Sequence, residues 1–210
     1  WINPYRVTHT AGIELADLAE NHPARLHPEY CVKYTDGKYY YNPGVPEVRS
    51  MLSSEAAFIA SNYDVDGIHM DDYFYPYPVA GGIFDDADEY ALYGSDMSLE
   101  DWRGENVNMT VKAIYDAIKA VNPDCRFGIS PFGIYANKGS GTPVTGSDTQ
   151  GLEAYHSLYC DALAWVKGGY VDYLAPQIYW AFSTSVAPFD IIARWWNANL
   201  DGTGVDLYIG

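Results

Sequence analysis

The chain has 210 residues, 48% of them hydrophobic and 19% charged, so it can bury the core of one folded domain and does not have the composition of a disordered segment. Its 28 acidic and 12 basic residues leave a net charge of −16, which repels phosphate backbones and anionic lipid headgroups. Nucleic acid is therefore not expected as a partner.

The three cysteines, Cys31, Cys125 and Cys160, show no CxxC spacing and leave one thiol over however the others pair. We therefore expect core thiols and no disulfide framework. No apolar run approaches the length of a membrane span, and no signal peptide precedes the first predicted strand. The chain opens directly on "WINPYRV", without a polar lead-in, which suggests a cut end.

The first third of the chain predicts a strand, a hairpin, a helix and a second strand. Residues 1–7 form the first strand, and "YCVKYTDGKYYYN" alternates around Asp36-Gly37, a dipeptide typical of a tight hairpin turn. From Pro46 the apolar residues follow helical spacing to about Asn62, and proline suits the first helical position. A strand then starts at Asp66.

The rest of the chain alternates helices with strands. A helix along residues 107–121 ends at Asn122-Pro123, and the strand "RFGISPFG" follows. After a Gly/Ser/Thr-rich surface loop at residues 136–152, a helix is capped by Gly168-Gly169. The strand "VDYLAPQIYW", a short helix around residues 191–195 and the strand "VDLYIG" complete the prediction.

This alternation predicts βαβ units and an α/β fold with a parallel sheet, in which five strands are apolar enough to be covered on both faces. Polar and aromatic residues gather where four strands end, namely Asn3 and Arg6, Asp71 and Asp72, Ser130 and Phe132, and Gln177 and Tyr179. A (β/α)8 TIM barrel builds its active site from such ends, whereas a doubly wound sheet concentrates ligand groups at one switch point. We therefore predict the barrel, and no GxGxxG loop supports the alternative.

The stretch "DGIHMDDYFYPYP" carries the candidate chemistry. Side chains alternate along a strand, so His69, Asp71 and Tyr73 should point into the barrel, with Asp72 at its rim. Adjacent carboxylates compete for ionisation, so one of them holds a proton more readily and the pair supplies an acid and a base. A helix cap or a calcium site is the alternative for this pair.

Metal binding is a weaker interpretation elsewhere in the chain. The acidic run from Asp85 to Glu89 fits either a calcium site or plain solvation. His69 has no second ligand at zinc spacing, so a hydrogen-bonded inner histidine is expected, and no metal or cofactor is predicted. No GxSxG elbow or P-loop is present in the sequence, which argues against serine-nucleophile chemistry.

Several residues at the strand ends are candidates for binding a sugar. Arg6, beside Asn3 and Tyr5, is placed to bind a substrate oxygen or to hold an aspartate, although a surface role is equally consistent with the sequence. Aromatic residues also cluster after the strand ends, namely Tyr73, Phe74, Tyr75, Tyr77, Tyr179 and Trp180. Aromatic rings pack on sugar faces, so some of these residues are candidates for binding the sugar. The alternative is that they belong to the core.

With these residues identified, the chain resembles the glycoside hydrolases of glycosyl hydrolase-like family 10, which are bacterial envelope-associated (β/α)8 barrels linked to cell-wall glycan. The matching segments are "WINPYRV", "YYYNPGVPEVR", "VDGIHMDDYFYP", "FGISPFGIYAN" and "LAPQIYW". The resemblance implies that residues 1–210 form a single catalytic barrel domain truncated at both ends, with about strands three to seven present. It also implies a polysaccharide or oligosaccharide substrate and a secreted or cell-envelope location.

The same strand is similar, more weakly, to the DGxDxDxE strand of family-18 chitinases. Asp66 and Gly67 match, and Asp71 matches the last aspartate, but Tyr73 stands where the acid glutamate would be. Asp72 is then the nearest candidate acid.

Glycosidases generally place two carboxyl groups about 5 Å apart when retaining and about 6.5–9.5 Å apart when inverting. Either a second catalytic carboxylate lies beyond Gly210, or Asp71 and Asp72 suffice because a 2-acetamido sugar, as in chitin or peptidoglycan, supplies its own nucleophile.

We predict a glycoside hydrolase, with a non-catalytic carbohydrate-binding barrel as the alternative. Asp71 and Asp72 are its predicted catalytic residues, and the predicted substrate-binding residues are Asn3, Tyr5, Arg6, His69, Tyr73, Tyr75, Ser130, Phe132, Gln177, Tyr179 and Trp180. The glycan, the linkage, the anomeric outcome and the oligomeric state stay open.

Overall fold

The structure is a computed structural model that describes residues 1–94 and 96–210. The described part contains the helices α1 (Pro23–Leu26), α2 (Pro46–Asn62), α3 (Ala87–Tyr93), α4 (Leu99–Val121), α5 (Ala154–Leu158), α6 (Ala162–Gly168) and α7 (Phe189–Leu200). Its strands are β1 (Cys31–Lys33), β2 (Tyr39–Tyr41), β3 (Gly67–Met70), β4 (Arg126–Ile129), β5 (Tyr173–Leu174) and β6 (Asp206–Leu207).

The last four strands form one parallel sheet in the order β3-β4-β5-β6. Met70 pairs with Ile129, Ile129 with Leu174, and Leu174 with Leu207, so the strand ends lie side by side. The predicted α/β class and parallel sheet are confirmed. Within residues 1–94 and 96–210 the sheet stays open and does not close into a barrel.

The first segment extends this sheet less than predicted. Ile2 forms a single parallel bridge with Met70, and its N–H donates to the His69 carbonyl at 2.8 Å. Pro4 has no N–H to continue the ladder, and the chain turns, so that Arg6 bridges antiparallel to Tyr40. The predicted strand over residues 1–7 is therefore wrong beyond the bridge at Ile2.

The predicted hairpin is confirmed: β1 and β2 are antiparallel, with Cys31 opposite Tyr41. Gly37 in its loop has φ +80°, a left-handed conformation that glycine adopts at little cost. The Tyr41 N–H donates to the Tyr5 carbonyl at 2.8 Å, so the hairpin holds the first segment beside the sheet.

Helix α2 begins at Pro46 and ends at Asn62, as the apolar spacing predicts, and packs against the longer α4. The single helix predicted before Gly169 is two helices, because Tyr159 between α5 and α6 has the left-handed φ of 55°. Gly169, at φ 70°, caps α6 as expected.

The three cysteines are free thiols, with Cys125 and Cys160 buried and Cys31 half-buried. No helix in the described part of the chain is both long and apolar enough to cross a bilayer.

Candidate functional site

The end of β3 separates apolar from polar side chains by simple alternation. Ile68 and Met70 are buried, whereas His69 and Asp71 are half-exposed on the opposite face. We call the face that carries His69 and Asp71 the site face. Its polar groups stand at the carboxyl ends of parallel strands, where α/β enzymes build their active sites.

Asp71 accepts three hydrogen bonds on the site face. The Gln177 amide donates from Nε2 to Oδ1 at 3.0 Å, while Trp1 Nε1 and Asn3 Nδ2 donate to Oδ2 at 3.3 and 3.5 Å. All three partners are N–H donors, so each contact suits an ionised carboxylate. The structure thus brings Asn3, Asp71 and Gln177 together from three chain segments.

Asp72 occupies a different environment. Only 1% of its surface is exposed, and the Tyr77 hydroxyl donates a hydrogen bond to Oδ2. Its Oδ1 is buried and has no partner in the described part of the chain. Burial raises the pKa of the Cys160 thiol, and the negative charge of Asp72 raises it further. Asp72 is buried and not open at the rim as expected, because the Tyr77 side chain covers its carboxyl group.

Burial is the main cause of a raised pKa at Asp72. The nearby negative charge of Asp71 raises the pKa further, whereas the hydrogen bond from Tyr77 and the Gln177 amide lower it. The direction agrees with the expectation that one member of the pair holds a proton more readily.

His69 lies between two hydroxyl groups. Its Nε2 is 2.7 Å from Ser130 Oγ and its Nδ1 is 2.9 Å from the Tyr173 hydroxyl. Burial lowers the pKa of His69, which favours the neutral ring. Gly128 leaves room for this arrangement, since a Cβ there would stand 2.2 Å from the Tyr173 ring.

Gln177 joins the ends of β3 and β4 through one amide group. Besides Asp71 Oδ1, its Nε2 reaches the Ser130 carbonyl oxygen at 2.9 Å. Phe132 forms a parallel bridge with Gln177, which extends the pairing of β4 and β5 past the strand ends. Ser130, Phe132 and Gln177 therefore belong to the same cluster as Asp71.

Aromatic rings surround this cluster in an arc. The Arg6 guanidinium lies 4.1 Å from the centre of the Tyr73 ring. The Tyr77 ring is tilted against Tyr73 and packs edge-on against Phe132. Trp180 packs edge-on against Phe132 with ring centres 5.5 Å apart, and Tyr179 is 72% exposed. Among the described residues no carboxylate forms an ion pair with Arg6, so Arg6 does not hold an aspartate here.

Two predicted sugar-binding residues lie in the core instead. Tyr5 has no exposed surface and its hydroxyl donates to Thr110 Oγ1 at 2.8 Å. Tyr75 is 1% exposed and packs between Phe84 and Tyr159. Neither ring is available to a substrate in this structure, because helix α4 and the segments near residues 84 and 159 cover them.

Three residues at the site were not predicted from the sequence in the roles that they have in the structure. Trp1 and Tyr173 were not selected, and Tyr77 was considered only as a sugar contact, although it bonds Asp72. A signal was present for Tyr173, because residues four apart on a strand share a face and Tyr173 precedes Gln177 by four.

The acids of the run from Asp85 to Glu89 lie in different environments. Asp86 is buried and pairs with Arg103 through two hydrogen bonds of 2.6 and 2.8 Å, whereas Asp85 and Asp88 are exposed. In residues 1–94 and 96–210 no three His, Cys, Asp or Glu residues are grouped as a metal site would need.

A sequence model of the glycosyl hydrolase-like 10 family matches residues 1–210 of the chain. The chain belongs to this family. Glycosyl hydrolase YngK of Bacillus subtilis (strain 168) is 44% identical over 215 residues, which cover 100% of this chain and 41% of the relative. Glycosyl hydrolase DigH of Escherichia coli (strain K12) is 38% identical over 217 residues, 100% of this chain and 49% of the relative.

Glycosyl hydrolase DigH of Shigella flexneri matches with the same identity and coverage. The resemblance to glycosyl hydrolase-like family 10 is thus confirmed. The chain spans 41% to 49% of the length of these relatives, so it corresponds to about half of each at most.

Proposed function

We propose that this member of the glycosyl hydrolase-like 10 family contributes a glycoside hydrolase site centred on Asp71. Family membership and three relatives named glycosyl hydrolases support hydrolysis of a glycan. The observation that carries the choice of site is the Asp71 carboxylate, which accepts N–H groups of Trp1, Asn3 and Gln177 at the carboxyl ends of a parallel sheet.

The proposed substrate is a glycan with N-acetylated amino sugars, such as peptidoglycan glycan strands or chitin. A mechanism with a protein nucleophile needs a second carboxylate in contact with the sugar, and Asp72 is buried beneath the Tyr77 hydroxyl. A 2-acetamido sugar avoids that requirement: its carbonyl oxygen bonds to the anomeric carbon as the glycosidic bond breaks, and water later opens the ring that forms. A secreted or envelope location belongs to the same proposal.

In this reaction Asp71 stays ionised and stabilises the positive charge that develops on the sugar, or orients the acetamido group. Asp72 is the proposed proton donor to the leaving oxygen, since burial favours its protonated form. Its carboxyl group is covered by Tyr77, so proton transfer from Asp72 requires the Tyr77 side chain to move.

A second candidate function is carbohydrate binding without turnover. The 1% exposure of Asp72 favours it, because a general acid must come within hydrogen-bond distance of the leaving oxygen. The aromatic arc around Tyr73, Phe132 and Trp180 serves a binder as well as an enzyme.

The test is to incubate the full-length protein with chitin oligomers and with purified peptidoglycan glycan strands, and to identify products by mass spectrometry. Asp71→Asn should abolish cleavage while glycan binding persists, and Asp85→Asn, a change at an exposed acid, is the matched control. Glycan binding by the wild-type protein with no product from either substrate would support the binding barrel and overturn the hydrolase.

A further inference from the structure

Backbone contacts fix the position of Gln177 in the structure. The Gln177 N–H donates to the Pro131 carbonyl at 2.9 Å, and Gln177 bridges Phe132 in parallel. Gly133, which follows Phe132, lets the two chain segments lie this close together, because a Cβ at Gly133 would stand 2.3 Å from the Gln177 carbonyl oxygen. The side chain therefore leaves from a rigid position beyond β5.

The orientation of the Gln177 amide follows from its partners. Its nitrogen is 3.0 Å from Asp71 Oδ1 and 2.9 Å from the Ser130 carbonyl oxygen. A carboxylate and a carbonyl only accept hydrogen bonds, so the NH2 group and not the amide oxygen must face both. One N–H of the amide then donates to Asp71 and the other to the Ser130 carbonyl.

Asp71 depends on this amide more than on its other donors. Trp1 and Asn3 donate to Oδ2 at 3.3 and 3.5 Å, whereas Gln177 donates to Oδ1 at 3.0 Å. The Gln177 bond is therefore the shortest of the three. The Ser130 residue that anchors the amide also bonds His69 through its Oγ at 2.7 Å. Gln177 thus ties the orientation of Asp71 to the rigid end of β4.

We propose that Gln177 is a positioning residue that holds the Asp71 carboxylate in one orientation on the site face. This inference rests on the proposed function, in which Asp71 contacts the glycan. An uncharged residue with two donors is required here, because a side chain without donors would leave Asp71 Oδ1 and the Ser130 carbonyl without their partner. A carboxyl group in its place would face Asp71 as a like charge.

Two variants separate positioning from simple packing. Gln177→Met keeps the length of the side chain and removes both donors. Gln177→Glu keeps the shape, and its carboxyl can donate one hydrogen bond only while it is protonated. Repulsion from Asp71, and from the nearby Asp72 when it is ionised, should hold the pKa of the introduced carboxyl well above the ordinary value of about 4.3.

The experiment measures kcat and KM of the full-length protein and both variants across pH on the glycan that the wild type cleaves. Gln177→Met should lower kcat about 10- to 100-fold at every pH, with little change in KM, as expected for a lost bond to a charged group. Gln177→Glu should retain activity at low pH and lose it as pH rises, because deprotonation turns its donor into a like charge. A packing role would lower the melting temperature of both variants without moving the pH profile.

A wild-type pH profile for Gln177→Glu, or a Gln177→Met effect confined to KM, would overturn the proposal. NMR titration of the introduced carboxyl needs no turnover and gives a second readout: an ordinary pKa there would also overturn it. A raised pKa in a protein that cleaves no glycan would support the contact with Asp71 while the proposed hydrolase fails. The two ideas can therefore fail separately.

Discussion

Asp71 and Asp72 are consecutive residues, yet Asp71 accepts N–H donors on the site face while Asp72 is buried beneath the Tyr77 hydroxyl. Tyr77 produces this split, since its side chain covers the Asp72 carboxyl group while Asp71 stays half-exposed. One carboxyl is consequently available to a ligand, and the other has its protonation shifted by burial.

The raised pKa of Asp72 predicts a pH-dependent loss of stability. An unfolded aspartate titrates near pH 3.9, so above about pH 3.9 the folded state binds more protons at Asp72 than the unfolded state does. The free energy of unfolding should therefore fall as pH rises from there through the folded pKa. Asp72→Asn should remove this part of the slope in urea unfolding measured from about pH 4 to pH 7.

Asp85→Asn, at an exposed acid, is the control and should leave that slope unchanged. An Asp72→Asn slope equal to that of the wild type would mean that Asp72 titrates as an ordinary aspartate.

The sequence predicted the parts of the fold that depend on local pattern. The spacing from Pro46 gave the bounds of α2, and the alternation along β3 put Asp71 on the site face. It did not predict the burial of Tyr5 and Tyr75, because α4 and segments distant in the chain cover them. It did not predict the burial of Asp72 either, because Tyr77 covers it from a loop that has no repeating pattern. Closure of a barrel depends on contacts between distant strands, which no local pattern encodes.

Gly128 should tolerate no side chain. A Cβ at Gly128 would stand 2.2 Å from the Tyr173 ring, so Gly128→Ala should displace Tyr173 from His69 and destabilise the fold by about 1–3 kcal/mol. Gly104→Ala in α4 is the matched control: it has open space and should stabilise the helix by roughly 0.5–1 kcal/mol. Chemical denaturation measures both, and equal stability of Gly128→Ala and wild type would contradict the packing described.

Tyr5 and Tyr179 should respond in opposite ways to mutation. Tyr5→Phe loses a buried hydrogen bond to Thr110, which should cost about 0.5–1.5 kcal/mol of stability and leave glycan affinity unchanged. Tyr179→Ala changes an exposed ring and should leave stability within about 0.5 kcal/mol.

Glycan affinity of Tyr179→Ala should instead fall about 2- to 10-fold, the equivalent of about 0.5–1.5 kcal/mol for an aromatic contact. Thermal unfolding and calorimetric titration with a glycan oligomer measure the two quantities. A loss of affinity in Tyr5→Phe at unchanged stability would return Tyr5 to the binding site.

Leaving-group acidity should distinguish the roles of the two aspartates. If Asp72 protonates the leaving oxygen, Asp72→Asn should slow an aryl glycoside with a poor leaving group by about 10²- to 10⁴-fold and an activated one much less. Asp71→Asn should slow both substrates alike, because the charge that Asp71 stabilises develops on the sugar whatever leaves. The measurement is kcat/KM of the wild type and both variants on two aryl glycosides that differ only in leaving-group acidity. If Asp71→Asn spares the activated substrate while Asp72→Asn slows both equally, then Asp71 is the acid, in keeping with its greater exposure on the site face.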